Sequence, residues 1–243
     1  MKKHDYFFNR LKKIIPQHIK PKFGTGLELL KWNQEQGKLN STKIIKKNYE
    51  IKFKKTVMQS GIHELYKDCS FDNYQLENER QKKALSMAKR YLKEFNQNSL
   101  ASFIFSGKPG TGKNHLATAI GMNLILNGKS FLLITVADIM SNIKETFSFK
   151  NSLHEKNLLY NFSNIDLLVI DEIGIQIESR YEKIVINQII DRRSSSKRPT
   201  GMLSNLDYIS LNHLLGERVM DRMRIGNSIW VRFDWESYRK HIK

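Results

Sequence analysis

One cysteine, four prolines and no long apolar run set the first limits on this 243-residue chain. Cys69 alone excludes a disulfide framework and any cysteine-rich metal site. Between Asp68 and Ser70 it suits an inert, partly buried thiol. No stretch approaches the about 18 consecutive apolar residues that span a bilayer, so no transmembrane helix is expected. The opening Met1-Lys2-Lys3-His4-Asp5-Tyr6 is charged where a secretory leader needs an apolar segment, so no signal peptide is expected either. A cytoplasmic protein with no membrane partner follows, and its hydrophobic content of 40% is enough for a core. Acidic residues are also scarce. Asp and Glu number 24 against 41 Lys and Arg, for a net charge of +17. The excess is concentrated: residues 1–60 hold 15 Lys/Arg and four Asp/Glu. A local excess of this size points to polyanions or an acidic protein partner more than to an even drift in composition.

What is present is organised around Gly107-Lys108-Pro109-Gly110-Thr111-Gly112-Lys113-Asn114. The apolar run Ser102–Ser106 leads into it and a helical pattern, His115 to Leu126, leads out. Strand, glycine-rich loop and helix are the context of a phosphate-binding loop. The glycines let backbone N–H groups approach phosphate oxygens, Lys113 adds a point charge at the β- and γ-phosphates, and the helix N-terminus favours the anion further. The pattern GxxxxGK is met in full, but Asn114 stands where Ser or Thr normally offers a hydroxyl to Mg²⁺.

The first quarter reads as short basic helices. Phe7, Phe8, Leu11, Ile14 and Ile15 share one face of a helix ended by Pro16 and Pro21. A second helix carries Leu27, Leu29, Leu30 and Trp32 and is expected to stop near Gly37. A third runs from Ser41 to Met58. These elements hold too little apolar surface for a large core, so Phe7, Phe8, Leu11, Leu30 and Trp32 are candidate anchors for a partner that offers a groove. Gly61 to Tyr74 is a linker with aromatic anchors at Phe71 and Tyr74. An amphipathic helix follows over Leu76–Phe95. Strands at 102–106, 131–135, 166–171, 200–204 and 228–233 then alternate with helices at 113–126, 136–147, 152–161, 180–194 and 209–223. The strands are near-continuous apolar runs, as in sheets covered on both faces. The pattern predicts an α/β fold: a three-layer domain around a parallel five-stranded sheet, with ligand at the carboxyl ends of the strands.

Leu167-Leu168-Val169-Ile170-Asp171-Glu172 sets two carboxylates at the end of a buried strand, beside the phosphate loop. Phosphoryl transfer needs one acid to hold Mg²⁺ and another to orient the attacking water, roles that suit Asp171 and Glu172. Strand 200–204 ends in Ser204-Asn205, where an amide can reach the γ-phosphate or the water. Arg218 and Arg222 are spaced i, i+4 on one helix face. Such arginines stabilise phosphoryl-transfer charge, often from a neighbouring subunit.

GKPGTGKNH, LLVIDEIG, the strand-ending Asn205 and GERVMDRM together resemble the AAA+ ATPases of the DnaA/DnaC/IstB group. The stretches ITVADIMS, ESRYEKIVINQIIDRRSSSKRPTGML, LGERVMDRMRIGNS and the N-terminal QHIKPKFGTGLELLKWNQEQG resemble its helicase-loader branch, so the likeness spans nearly the whole chain. That resemblance implies ATP and Mg²⁺ as cofactors, with single-stranded DNA, the replicative helicase DnaB and side-by-side copies of the chain as partners. It makes residues 1–60 the helicase-binding part, 61–75 a linker and 76–243 the AAA+ domain, without a C-terminal lid. Lys113 becomes the Walker A lysine, Asp171 and Glu172 the Walker B acids, Asn205 the sensor-1 residue, Arg222 the arginine finger with Arg218 beside it, and Arg239 a sensor-2 arginine. Asn114, which the loader branch shares, would reach Mg²⁺ through its amide oxygen and make hydrolysis slow. The segment after the second strand lines the inside of the oligomer in this group, which makes Lys144 and Phe147 candidate DNA contacts. Ser179, Arg180 and Tyr181 form a second candidate cluster. Alternatives are an IstB-like transposition helper, a metabolic nucleotide kinase, which lacks its lid-like insertion here, and an ATP-independent single-strand binding protein with a decayed ATP site.

Overall fold

The computed structural model describes Phe23 and residues 25–95, 100–148, 152–174 and 179–241, with Arg10 in isolation. Phe7, Phe8 and Leu11 lie outside the described residues. The chain divides into two compact units, Met1–Lys54 and Lys55–Lys243.

Helix α1 (Gly26–Gln59) is one continuous 34-residue helix rather than the two expected to meet near Gly37. A solvated glycine in a helix costs only about 1 kcal/mol, and long basic side chains on either side favour the helix. The Ser41 and Thr42 hydroxyls donate back to the carbonyls of Gly37 (2.8 Å) and Lys38 (2.9 Å), one turn earlier, so both polar groups are satisfied within the helix. Much of the apolar side-chain surface of α1 faces solvent, including Leu30, Ile44, Ile45 and Met58.

In the second unit α2 (Glu79–Phe95) precedes strand β1 (Phe103–Gly107) and α3 (Lys113–Leu126). Then come β2 (Phe131–Thr135), α4 (Val136–Ser148), α5 (Ser152–Asn164), β3 (Leu167–Ile173), α6 (Arg180–Ser195), β4 (Thr200–Ser204), α7 (Tyr208–Leu215), α8 (Glu217–Arg222) and β5 (Ile229–Phe233). The single helix expected over 209–223 is two. Gly216 adopts φ +89°, which an L side chain rarely tolerates, and ends α7 while starting α8.

The five strands form one parallel sheet in the order β2-β3-β4-β1-β5. Alternation along each strand sends side chains to two helical layers. On one face an aromatic row runs from Tyr91 of α2 through Phe103 and Phe105 of β1 to Phe233 and Trp235, with ring centroids 4.5–5.3 Å apart at each step. On the other, Ile104, Ile170 and Met202 join Ile139 and Ile143 of α4, Ile186 and Ile189 of α6 and Met220 of α8 in the main core. Each such fully buried side chain stabilises the fold by about 1.5–3 kcal/mol. Because β4 lies between β1 and β3, the residue after β4 falls between the loop after β1 and the acids of β3.

At the opposite ends of the strands, Arg193 is completely buried. Its guanidinium donates to the carbonyls of Phe162 (2.6 Å), Ile165 (2.9 Å) and Pro199 (2.6 Å) and to Thr200 Oγ1 (3.1 Å). It thereby joins the end of α5 to the starts of β3 and β4. Burial lowers its pKa to about 9, so it stays cationic at neutral pH. Arg193→Met would strand those carbonyls in the core. The expected loss is about 3–5 kcal/mol, read by urea unfolding; a loss below 1 kcal/mol would show that water replaces the guanidinium.

Candidate functional site

The loop 107–112 leaves β1 and closes on α3 at Lys113, as expected from its sequence. Gly112 sits at φ +91°, and a Cβ there would come within 2.7 Å of the Tyr74 ring. The glycine is therefore required both by its backbone and by its neighbour. The Thr111 carbonyl accepts from Trp235 Nε1 (3.0 Å) and from the Tyr74 hydroxyl (3.3 Å), while the Lys108 N–H donates to the Phe233 carbonyl (2.8 Å). These buried partners fix the loop from behind. The N–H groups of Gly110, Thr111 and Gly112 carry no hydrogen bond to any described residue, which makes the loop an anion cradle at a helix N-terminus.

Lys113 is buried, and its Nζ donates to three oxygens: Gly107 O (2.7 Å), Lys108 O (2.7 Å) and Asn205 Oδ1 (2.9 Å). Burial lowers its pKa to about 8; nearby Asp171 works against the shift and Arg239 adds to it. The acids sit in an irregularity of the sheet. The β3–β4 register shifts between Ile170 and Ile173, and Glu172 within that shift has φ +59°. A non-glycine residue held in the left-handed region is strained, and such strain concentrates at functional sites. Two bonds hold the bulge: Asp171 Oδ1 accepts the Glu172 N–H (2.7 Å), and the Ser204 hydroxyl donates to Ile173 O (2.6 Å). Burial pushes the Asp171 carboxyl upward, against the pull of Glu172 N–H, Asn114 and Lys113.

Asn114 Nδ2 donates to Asp171 Oδ2 at 2.8 Å. A carboxylate can only accept, so the amide presents its NH₂ and not its oxygen to the acid. Here Asn114 orients Asp171. No group of three or more His, Cys, Asp or Glu fit to hold a metal occurs among the described residues. Mg²⁺ beside a nucleotide does not need one, since it takes one or two carboxylates with phosphate oxygens and waters. Asp171 and Glu172 at the mouth of the cradle fit that donor set.

The cleft that these groups line measures about 320 Å³. Arg239 reaches it from the short turn Tyr238–His241, and the Tyr238 N–H donates to Gly110 O (2.9 Å), which lays the segment after β5 across the loop. The opposite wall escaped the sequence reading. Leu65, Tyr66, Cys69, Asn73, Tyr74 and Gln75, from the stretch expected as a linker, all line the cleft. His115 Nε2 pairs with Ser70 O (2.9 Å), and the Tyr74 and His115 rings meet edge to face at 5.2 Å. Only the aromatic anchors Phe71 and Tyr74 hinted at this, because a short irregular stretch leaves no periodic signal.

Arg218 and Arg222 do not line the cleft. They pair with Asp191 of α6. Lys144 is exposed on α4; Phe147 lies in the same helix, and its side chain is outside the described ones. Ser179 caps α6, accepting the Glu182 N–H (3.1 Å) in a capping box, so its hydroxyl is engaged, while Tyr181 beside it is exposed. In α1, Leu30 is exposed and Trp32 is half-buried, its ring 5.3 Å from Phe23. No described helix is long and apolar enough to cross a membrane.

Comparison with known proteins gives this fold and cleft a context. The family model for IstB-like ATP binding proteins matches residues 43–243. The replicative helicase loader DnaC of Buchnera aphidicola (subspecies Baizongia pistaciae) is 64% identical over 100% of this chain and 98% of its own length. The replicative helicase loader DnaC of Escherichia coli K12 is 57% identical over the same shares. A crystal structure of a DnaC helicase loader superposes with a TM-score of 0.63 at 22% identity, covering 71% of this chain and all of that one. The AMPPCP-bound DnaA of Aquifex aeolicus superposes with 0.60 at 19% identity, covering 73% of this chain and 53% of that one, a likeness of fold.

The lowered pKa of Lys113 predicts how nucleotide affinity follows pH. The amine is cationic at pH 7 and loses its proton as pH rises through about 8, whereas a phosphate beside it would hold the proton. The nucleotide dissociation constant should be flat below about pH 7 and climb toward tenfold per pH unit above about 8. Stability should move the other way, rising between about 8 and 10.5, because the unfolded chain binds that proton more tightly. Fluorescence anisotropy with a labelled nucleotide reads the first effect, and Lys113→Met should abolish it. A dissociation constant flat across that range in the unmutated chain would remove Lys113 from the site.

Proposed function

This chain belongs to the family of IstB-like ATP-binding proteins, in the branch of the replicative helicase loaders DnaC, and on that premise we propose that it is an ATP-controlled loader. In this reading it binds the replicative helicase DnaB and single-stranded DNA, delivers the helicase to the origin, and uses ATP hydrolysis as a release switch. The observation that carries it is where the similarity lies. The ATP-binding model begins at residue 43, whereas the identity with the loaders runs through the whole chain. Residues 1–42 are thus shared with loaders and lie beyond the part common to ATP-binding helpers. That favours a loader over an IstB-like transposition helper.

Residues 1–60 would hold the helicase, through Leu30, Trp32 and the apolar residues Phe7, Phe8 and Leu11. Residues 61–75 would link and line, and 76–243 would form the AAA+ body. Lys113 and the loop N–H groups would bind the β- and γ-phosphates. Mg²⁺, when bound, would neutralise phosphate charge, held on Asp171. Asn114 would steer that carboxylate. Glu172 would accept a proton from the attacking water, Asn205 would position it, and Arg239 would face the phosphates from the same chain. Arg222, outside its own cleft, would reach the nucleotide of a neighbouring copy, so hydrolysis waits on side-by-side assembly. Exposed Lys144, with Phe147 and Tyr181, would contact single-stranded DNA, and Ser179 would serve as the cap that places Tyr181.

Mixing the chain with a DnaB-type hexamer and ATP should give a complex by size exclusion, and deletion of residues 1–60 should abolish it while nucleotide binding persists. Lys113→Ala should lose nucleotide affinity at least about tenfold and stay folded. No complex with ATP, ADP or neither would sink the loader reading.

A further inference from the structure

We propose that Asp191 is a positioning residue for the arginines that one copy lends to its neighbour's nucleotide. The inference rests on the reading of Arg222 as such a lent arginine. Asp191 lies on α6, and Arg218 and Arg222 lie one turn apart on α8. The two carboxylate oxygens are divided between the two arginines. Arg222 Nε is 2.9 Å from Oδ1, and Arg218 Nη2 is 3.1 Å from Oδ2. Arg222 Nη1 also donates to the backbone carbonyl of Asp191 at 2.9 Å. Asp191 therefore holds Arg222 by a hydrogen bond to its backbone carbonyl and by a close ion pair, with no hydrogen bond reaching Oδ1, and Arg222 Nη2 has no partner among the described residues.

Three features make this a presentation device rather than a plain ion pair. Val219, Met220 and Met223 are buried in the core that α6 also enters, so the α8 backbone is fixed independently of the arginines. The Arg222 side chain is only 21% exposed whereas Arg218 is 75% exposed, so the carboxylate restrains one arginine at the surface of the core and tethers a second beyond it. Two guanidiniums share one carboxylate, so the cluster keeps a net positive charge for a phosphate. A long arginine loses much rotamer freedom on docking; held in place beforehand, it loses less when the phosphate arrives. The Arg218 side of the cluster is largely solvated, so that pairing contributes little to folding. The loss of Asp191 should then register in the assembled reaction and not in the isolated chain.

The test uses the full chain with a DnaB-type hexameric helicase, a single-stranded oligonucleotide and ATP. Asp191→Ala should lower turnover of the assembly by about 10- to 100-fold, the range of residues that orient a reacting group. Nucleotide affinity and melting temperature of the isolated chain should not change, and Asp191→Glu should recover part of the loss. Asp191→Asn, close in shape, replaces the alanine variant if that fails to fold. The deciding arm mixes Asp191→Ala with Lys113→Ala. The first keeps its cleft and the second keeps its arginines, so mixed assemblies should hydrolyse faster than either variant alone. Unchanged turnover in Asp191→Ala, or a loss that mixing does not rescue, overturns the proposal. Arg222→Ala run alongside separates the two readings. Full turnover there removes Arg222 from its role; lost turnover there with normal Asp191→Ala removes only Asp191.

Discussion

The ammonium of Lys113 ties the site together. It is the first residue of α3, it bonds two carbonyls of the loop that leaves β1, and it bonds the amide that follows β4. A buried charge is tolerated only where acceptors surround it, and the loop turns its carbonyls of Gly107 and Lys108 onto the ammonium. The N–H groups of Gly110, Thr111 and Gly112 are left without partners among the described residues. One cation thus organises the start of the loop, while Tyr74, Phe233 and Trp235 hold the rest. Its lowered pKa follows from the same burial, which the charge of nearby Asp171 offsets only in part and Arg239 reinforces.

The parts of the cleft come from distant stretches of chain, and parallel topology brings them together. With β4 between β1 and β3, the amide after β4 reaches the lysine after β1 on one side, while the Asp171–Glu172 bulge stands on the other. The segment after β5 returns over the loop through Trp235 and Tyr238, and the stretch at 65–75 closes the far side. Tyr74 and Trp235 reach the same carbonyl, that of Thr111, from opposite ends of the sequence. The loop is consequently as much a packing element as a ligand cradle, and its glycines answer to both demands.

How much of this was legible depended on whether a feature was periodic or local. The five strands and the helices between them are periodic, and their positions in the sequence and the structure agree within a few residues. The loop and the acids are local motifs, and the structure sets Lys113, Asp171, Glu172 and Asn205 around one cleft, as their order at strand ends implied. Gly37 and Gly216 show the limit. Both interrupt a helical pattern, yet only Gly216 ends one, because there the backbone enters a positive φ while at Gly37 the ladder simply continues. A glycine by itself does not reveal which will happen. The wall at 65–75 and the buried Arg193 were hidden for a related reason. Neither has a helical or strand period: the wall is short and irregular, and Arg193 bonds backbone carbonyls, which carry no sequence signature.

Asn114 changes meaning most. As a letter in a motif it reads as a weak substitute for a hydroxyl, offering an oxygen to Mg²⁺. In the structure its NH₂ is spent on Asp171. A hydroxyl can donate to a carboxylate and still offer a lone pair to a cation, but an amide that donates through nitrogen points its oxygen elsewhere. The site then has one fewer oxygen for a metal and one more restraint on the acid that would hold it. At the same time Arg218 and Arg222, the arginines proposed to assist hydrolysis, stand outside the cleft on Asp191. On that reading both features would bias an isolated chain toward binding nucleotide without turning it over. In the proposed loader reading, a slow ATPase whose missing cations would come from another copy is what a switch requires: the state would persist until assembly supplied the rest.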